Sequence, residues 1–166
     1  MKLINTLLMA LSLMMFATSC ENGENNELPN NPTNDCYVGT MKVDQNDGTL
    51  YTQTDVEVDY EIRNGKLNFV MYKVKFANGM PLKLDMVVEG VDCIGALGNY
   101  TLAGNGIVPY AMGGPFEQFT ITNLVGAITN DTMTLGFMCG EYPVTYSGTK
   151  SVSKESSYNR MKSLHH

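Results

Sequence analysis

The sequence predicts an all-β protein, an eight-stranded antiparallel up-and-down β-barrel whose one helical candidate is a short segment at the C-terminus. Three observations predict it. First, the stretch from Val56 to Val88 reads as three alternating runs joined by Asn64-Gly65 and Asn78-Gly79; Asn-Gly between such runs marks a tight hairpin, because a type I′ turn needs φ > 0 at both central residues. Second, turn signals recur from Cys36 onward with no helical period between them. Third, the alternating segments Tyr37–Val43 and Tyr142–Thr149 would both be bare sheet edges unless they pair, and pairing them closes the barrel.

The N-terminal residues stand apart from the fold. Lys2 precedes an apolar run from Leu3 to Phe16, interrupted by Asn5, Thr6 and Ser12, and small residues Ala17-Thr18-Ser19 come before Cys20. A charged start, an apolar core too short to span a bilayer and small residues at a cleavage point make 1–19 a lipoprotein-type signal peptide, with Cys20 as the lipidated residue. The lipid anchor makes the membrane the expected partner and the outer membrane of the cell envelope, on its periplasmic or surface-exposed side, the expected location. Residues 20–35, rich in Asn, Glu and Pro, bury too little to fold and predict a disordered tether. The chain carries a net charge of −6, and loss of Lys2 with the signal takes it to −7. That balance argues against nucleic acid and anionic lipid surfaces. Residues 36–150 are long enough for one domain.

Within that domain the first strand is CYVGTMKVD from Cys36, with Tyr37, Gly39, Met41 and Val43 on one face. Gln45–Thr49 turns the chain into the second strand, where Val56, Val58, Tyr60 and Ile62 alternate with Asp55, Glu57, Asp59 and Glu61; this pattern predicts a solvated acidic outer face. In the third strand Leu67, Phe69 and Met71 share one parity and Tyr72, Val74 and Phe76 the other, which predicts a bulge near Met71. The fourth strand places Leu82, Leu84, Met86 and Val88 on one face. A glycine-rich stretch follows, with a strand from about Gly98 to Ala103 and a loose continuation through Val108. Glu117–Ala127 resumes strand character, Asn130-Asp131 turns it, Met133, Leu135 and Phe137 alternate in the next strand, and Gly140-Glu141 leads into the last. The tail, 151–166, offers Tyr158, Met161 and Leu164 to a short amphipathic helix with Ser153 as N-cap.

YVGTMKV, the Asn64-Gly65-Lys66 hairpin, NYTLAGNG and the closing YPVTYSG together resemble the calycin-like domain of small Bacteroidetes lipoproteins. The resemblance runs from Cys36 to Thr149 and implies a lipocalin-like barrel whose last strand pairs back to the first. It implies no catalytic activity and no cofactor.

The residues themselves point the same way. Only His165 and His166 occur, at the end of the chain, so a nucleophile within the domain has no imidazole base. Cysteines stand at 20, 36, 93 and 139, without a Cys-x-x-Cys, and sequence leaves the pairing of 36, 93 and 139 open. Cys139 shares parity with Leu135 and Phe137 and reads as a small buried hydrophobe. No catalytic or metal site is predicted. An enzyme of hydrolase type would have to use loop carboxylates such as Asp92 and Glu117.

The barrel interior is predicted to hold Tyr37, Met41, Val58, Tyr60, Phe69, Met71, Leu84, Met86, Phe119, Leu135, Phe137, Tyr142 and Tyr146. So bulky a set predicts a filled or nearly filled barrel with a shallow mouth. Tyr100, Tyr110 and Phe116 are the candidate lining of that mouth for a small apolar ligand. The expected function is a lipid-anchored binding or scaffold module; an interaction or inhibitor module would use its loops instead.

Overall fold

Each long strand presents one apolar face, and the sheet closes on itself so that all of these faces are buried together. The computed structural model describes residues 35–152. The expected signal peptide, Cys20, most of the expected tether and the helix expected through Tyr158, Met161 and Leu164 lie outside the described residues. Those residues form a single antiparallel sheet: β1 (Asp35–Asp44), β2 (Leu50–Arg63), β3 (Lys66–Val74), β4 (Leu84–Ala96), β5 (Asn99–Gly104), β6 (Tyr110–Ala111), β7 (Gly114–Pro115), β8 (Ile121–Ile128), β9 (Thr132–Cys139) and β10 (Tyr142–Val152).

Eight strands make the closed barrel, in the order β1-β2-β3-β4-β5-β8-β9-β10 and back to β1. The closing seam runs in unbroken register from Asp35 opposite Val152 to Val43 opposite Val144. β6 extends the path of β5 after an interruption. Ile107 bridges Ile121 in the register already set by Gly104 and Leu124, and Tyr110 pairs with Val87 of β4. Asn105-Gly106 is thus a break in one long fifth strand, and β6 and β7 form the small hairpin that ends it.

Four bulges bend the wall. Each gives one strand two residues against one, and each contains a residue with positive φ: Asp55 in β2, Lys73 in β3, Gly90 in β4 and Asn123 in β8. The bulge expected near Met71 is the one at Tyr72-Lys73. Side chains nearby satisfy the amides that the bulges free: Lys73 N–H donates to Asp85 Oδ1 at 2.8 Å, Gly90 N–H to Asn68 Oδ1 at 2.9 Å and Asn123 N–H to Asn105 Oδ1 at 3.1 Å. Bulges in both β2 and β3 part these strands beyond Val58, and Gln53 Nε2 bridges the gap by donating to Lys73 O at 2.8 Å.

Tyr146 locks the closing seam from inside. Gly39 and Gly148 face each other across it, and a Cβ on Gly148 would collide with the Tyr146 hydroxyl. That hydroxyl lies within hydrogen-bond reach of Tyr37 O at 3.0 Å and Val56 O at 3.2 Å, carbonyls flanking the β2 bulge. Gly148 leaves the room that the Tyr146 ring fills, while Gly39 lets the backbone of Ser147 and Gly148 approach closely across the seam.

The structure corrects four local expectations. Asn64-Gly65 forms the expected tight turn, with φ of 52° and 74°. Asn78-Gly79 does not: neither residue has positive φ, and the pair sits within the loop from Lys75 to Lys83, where Met80 N–H donates to Ala77 O at 3.0 Å. Pro81 cannot donate to a ladder, so β4 begins at Leu84, and Leu82 leaves the predicted face to stand 67% exposed in the loop. Glu117–Phe119 is a single 3-10 turn and β8 starts only at Ile121. Finally, the acidic face of β2 is not uniformly solvated. Asp55 is exposed, but Asp59 is 0% exposed and Glu61 is buried, although both point away from the barrel interior.

Candidate functional site

The interior is packed by its own side chains. Tyr37, Met41, Tyr60, Phe69, Met86, Phe119, Phe137 and Tyr146 are all buried in one apolar cluster, together with Val58, Met71, Leu84 and Leu135. Tyr37 and Tyr60 approach with ring centroids 6.1 Å apart, and Tyr37 donates through its hydroxyl to Thr129 O at 3.0 Å. Burial pushes the Tyr37 and Tyr146 hydroxyls and the Cys139 thiol well above their ordinary ionisation ranges. Cys139 lies in the core as expected, its thiol 3.7 Å from Phe119 O. No disulfide joins the cysteines of the described residues.

One end of the barrel gathers the turns after β1, β3 and β9. Gln45 Nε2 donates to Phe76 O at 3.2 Å, Asn78 N–H to Gln45 Oε1 at 2.8 Å and Asn46 Nδ2 to Glu141 O at 2.9 Å, tying the three together. Three rings close this end. Phe119 stands between Phe76 and Phe116, with centroid separations of 5.8 and 4.8 Å. Phe119 therefore reaches the core as a plug carried on the 3-10 turn, whereas the sequence had placed it on a strand.

Above the plug lies a cleft of about 420 Å³. Met80, Pro81 and Leu82 of the β3–β4 loop form one side, Met112 and Phe116 another, and Phe119, Gln118 and Tyr142 complete it. Met112 is 79% exposed and shares the rim with Leu82. The lining is mostly apolar, with the Gln118 amide and the Tyr142 hydroxyl as its polar side-chain groups. A hydrogen bond to the neighbouring Glu141 carboxylate holds the Tyr142 hydroxyl protonated above its usual range. Glu117 and Glu141 adjoin lining residues in the chain, so a neutral or cationic guest suits the rim better than an anion.

The three residues expected to line a mouth are not brought together. Phe116 lines the cleft, but Tyr100 is buried at the opposite end, opposite Gly95 and Ile128, where the Gly98 and Asn130 turns meet. Tyr110 stands on the outer wall opposite Val87. Their common place in or beside the glycine-rich stretch had grouped them, yet Asn105-Gly106 and the β6–β7 hairpin carry the chain from one end to the other between them. The signal for the real cleft was Pro81, which marks Met80–Leu82 as loop, and the Met112-Gly113 turn beside Phe116. Tyr142, expected inside, is half-buried on the cleft wall.

The carboxylates considered for catalysis are also separate. Asp92 pairs with Lys66 on the exposed wall near the Asn64-Gly65 turn, and Glu117 lies on the 3-10 turn at the cleft end. Among the described residues no group of three or more His, Cys, Asp or Glu is placed to hold a metal ion. Among the same residues no helix is long and apolar enough to cross a membrane.

No protein-family model, curated protein or solved structure matches the chain.

Proposed function

We propose that this chain is a lipid-anchored, non-catalytic binding module of the cell envelope, a calycin-like barrel of the Bacteroidetes lipoprotein kind, which takes the apolar part of a neutral ligand in its end cleft. One observation carries the reading: the described apolar cleft lies over the barrel end, above a core filled by its own residues. A volume of about 420 Å³ falls within the size range of small-molecule sites. Met112 and Leu82 stand exposed at the rim, and methionine adapts its shape to varied apolar guests.

The direction of the chain supports the anchoring half of the reading. β1 begins at Asp35, at the end that holds the Asn64-Gly65 and Asn130-Asp131 turns, away from the cleft. A lipid on Cys20 would hold that end toward the membrane on a tether spanning at most ~50 Å, leaving the cleft facing outward.

Binding is tested with the neutral fluorescent probe N-phenyl-1-naphthylamine. The parent barrel should enhance its fluorescence, and Leu82→Asp with Met112→Asp should abolish the enhancement while the melting temperature holds. Equal enhancement by the double variant would refute the cleft as the site. Anchoring is tested separately: Cys20→Ala should release the protein from membranes of its host, and a variant that remains bound and normally processed would refute the lipid.

A further inference from the structure

Two bulges open a second pocket, a polar one, in the side of the barrel. The β2–β3 ladder runs from Arg63 opposite Lys66 to Val58 opposite Met71 and stops there. Beyond it come the β2 bulge that holds Asp55 and the β3 bulge that holds Lys73. The parted strands leave a pocket of about 310 Å³, separate in its lining from the end cleft. Gln53 shares the inward parity of its partner Met41 and forms the floor, its amide spanning the gap to Lys73 O at 2.8 Å. Asp55 and Glu57 line one side from β2; Lys73 of β3 and Lys83, the residue before β4, line the other. Both bulge residues are held from behind. Thr54 Oγ1 donates to Asp55 Oδ2 at 3.2 Å, and Asp85 Oδ1 accepts from Lys73 N–H at 2.8 Å.

Opposite charges line this pocket without neutralising one another. The ion pairs among the described residues are Arg63 with Glu61, Lys66 with Asp92 and Lys150 with Asp35, so Asp55, Lys73 and Lys83 belong to none of them. Asp55 and Lys73 also carry positive φ, 57° and 51°. Aspartate tolerates that region, but a lysine there is strained where glycine would serve the backbone better. Residues so strained gather at binding and active sites, where bulges re-aim side chains. We propose that the pocket binds a free α-amino acid, with its carboxylate on Lys73 and Lys83 and its ammonium on Asp55, beside Glu57. A simple anion would face two carboxylates and a simple cation two lysines, so a ligand carrying both signs meets the lining best. The size agrees, since at ~30 Å³ for each water in the liquid the pocket has room for about ten, the bulk of one amino acid.

Saturation-transfer NMR with the common L-amino acids, each in turn, tests the assignment. At least one should bind, more weakly as salt is raised. Its analogue without the ammonium and its analogue without the carboxylate should each lose roughly ten-fold or more in affinity, since each gives up one set of charge-assisted hydrogen bonds. Lys73→Gly locates the site. Because positive φ suits glycine, this variant should keep or raise the urea midpoint while its affinity for the same amino acid falls roughly ten-fold or more. A lysine with only a structural role would not separate the two readouts. Unchanged affinity in Lys73→Gly, or in the companion Asp55→Gly, would overturn the proposal. So would equal binding of either single-charge analogue, or no binding by any of the amino acids.

Discussion

Tyr146 shows how single residues hold this barrel shut. Its hydroxyl occupies room left by glycine at 148 and reaches the buried carbonyls of Tyr37 and Val56. Tyr146→Phe should cost about 1–3 kcal/mol, since it removes that donor from buried acceptors at nearly constant volume; urea denaturation measures it, and no loss would mean that the hydroxyl is dispensable. The same burial sets an alkaline limit. Tyr37, Tyr146 and Cys139 have folded ionisation ranges raised above their ordinary values of 10.0, 10.0 and 9.0. Below pH 9 all three are protonated in both states, so their contribution is complete. As pH rises past 9 to 10 the unfolded chain ionises first, and stability falls. The urea midpoint should therefore hold level with respect to these groups up to about pH 9 and decline above it. A midpoint unchanged to pH 11 would contradict the buried environment assigned to them.

At the scale of elements, the two Asn-Gly pairs separate what sequence can reveal from what it cannot. Asn64-Gly65 was legible because Arg63 and Lys66 pair directly around it, so local conformation alone decides the turn. Asn78-Gly79 has the same two letters, but the Tyr72-Lys73 bulge and the need to lay Phe76 over the barrel end impose a wide loop instead. The difference is measurable. Gly65→Ala should cost about 1 kcal/mol because of its positive φ, whereas Gly79→Ala, with ordinary φ and open space around its Cβ, should be neutral or slightly stabilising. Equal losses from both would restore the second hairpin. Phe119 belongs to this scale too. As a plug between Phe76 and Phe116 it should cost about 3–5 kcal/mol on truncation to Ala, measured as a fall in unfolding free energy. A loss under 1 kcal/mol would show that the end is open.

For the whole molecule, the closed barrel was legible because alternation, turn chemistry and two otherwise bare edges all demanded the same architecture. The cleft was not, because it depends on which loops converge at one end, and strand parity carries no information about that. Tyr100 and Phe116, sixteen positions apart, fall at opposite ends since the fifth strand runs on past its break. The burial of Asp59 and Glu61 on the outer wall was illegible for a related reason, since the two alternate like any solvated pair and only the surrounding structure distinguishes them. The central claim is a packed barrel that binds at its end, and methionine methyl NMR tests it most directly, since Met80 and Met112 line the cleft while Met41, Met71, Met86 and Met133 fill the interior. Titration with octyl glucoside, kept below its micelle-forming concentration, should shift the Met80 and Met112 methyl signals and leave the four interior signals in place. Shifts in the interior set with a silent Met80 and Met112 would contradict the account and place the ligand inside the barrel.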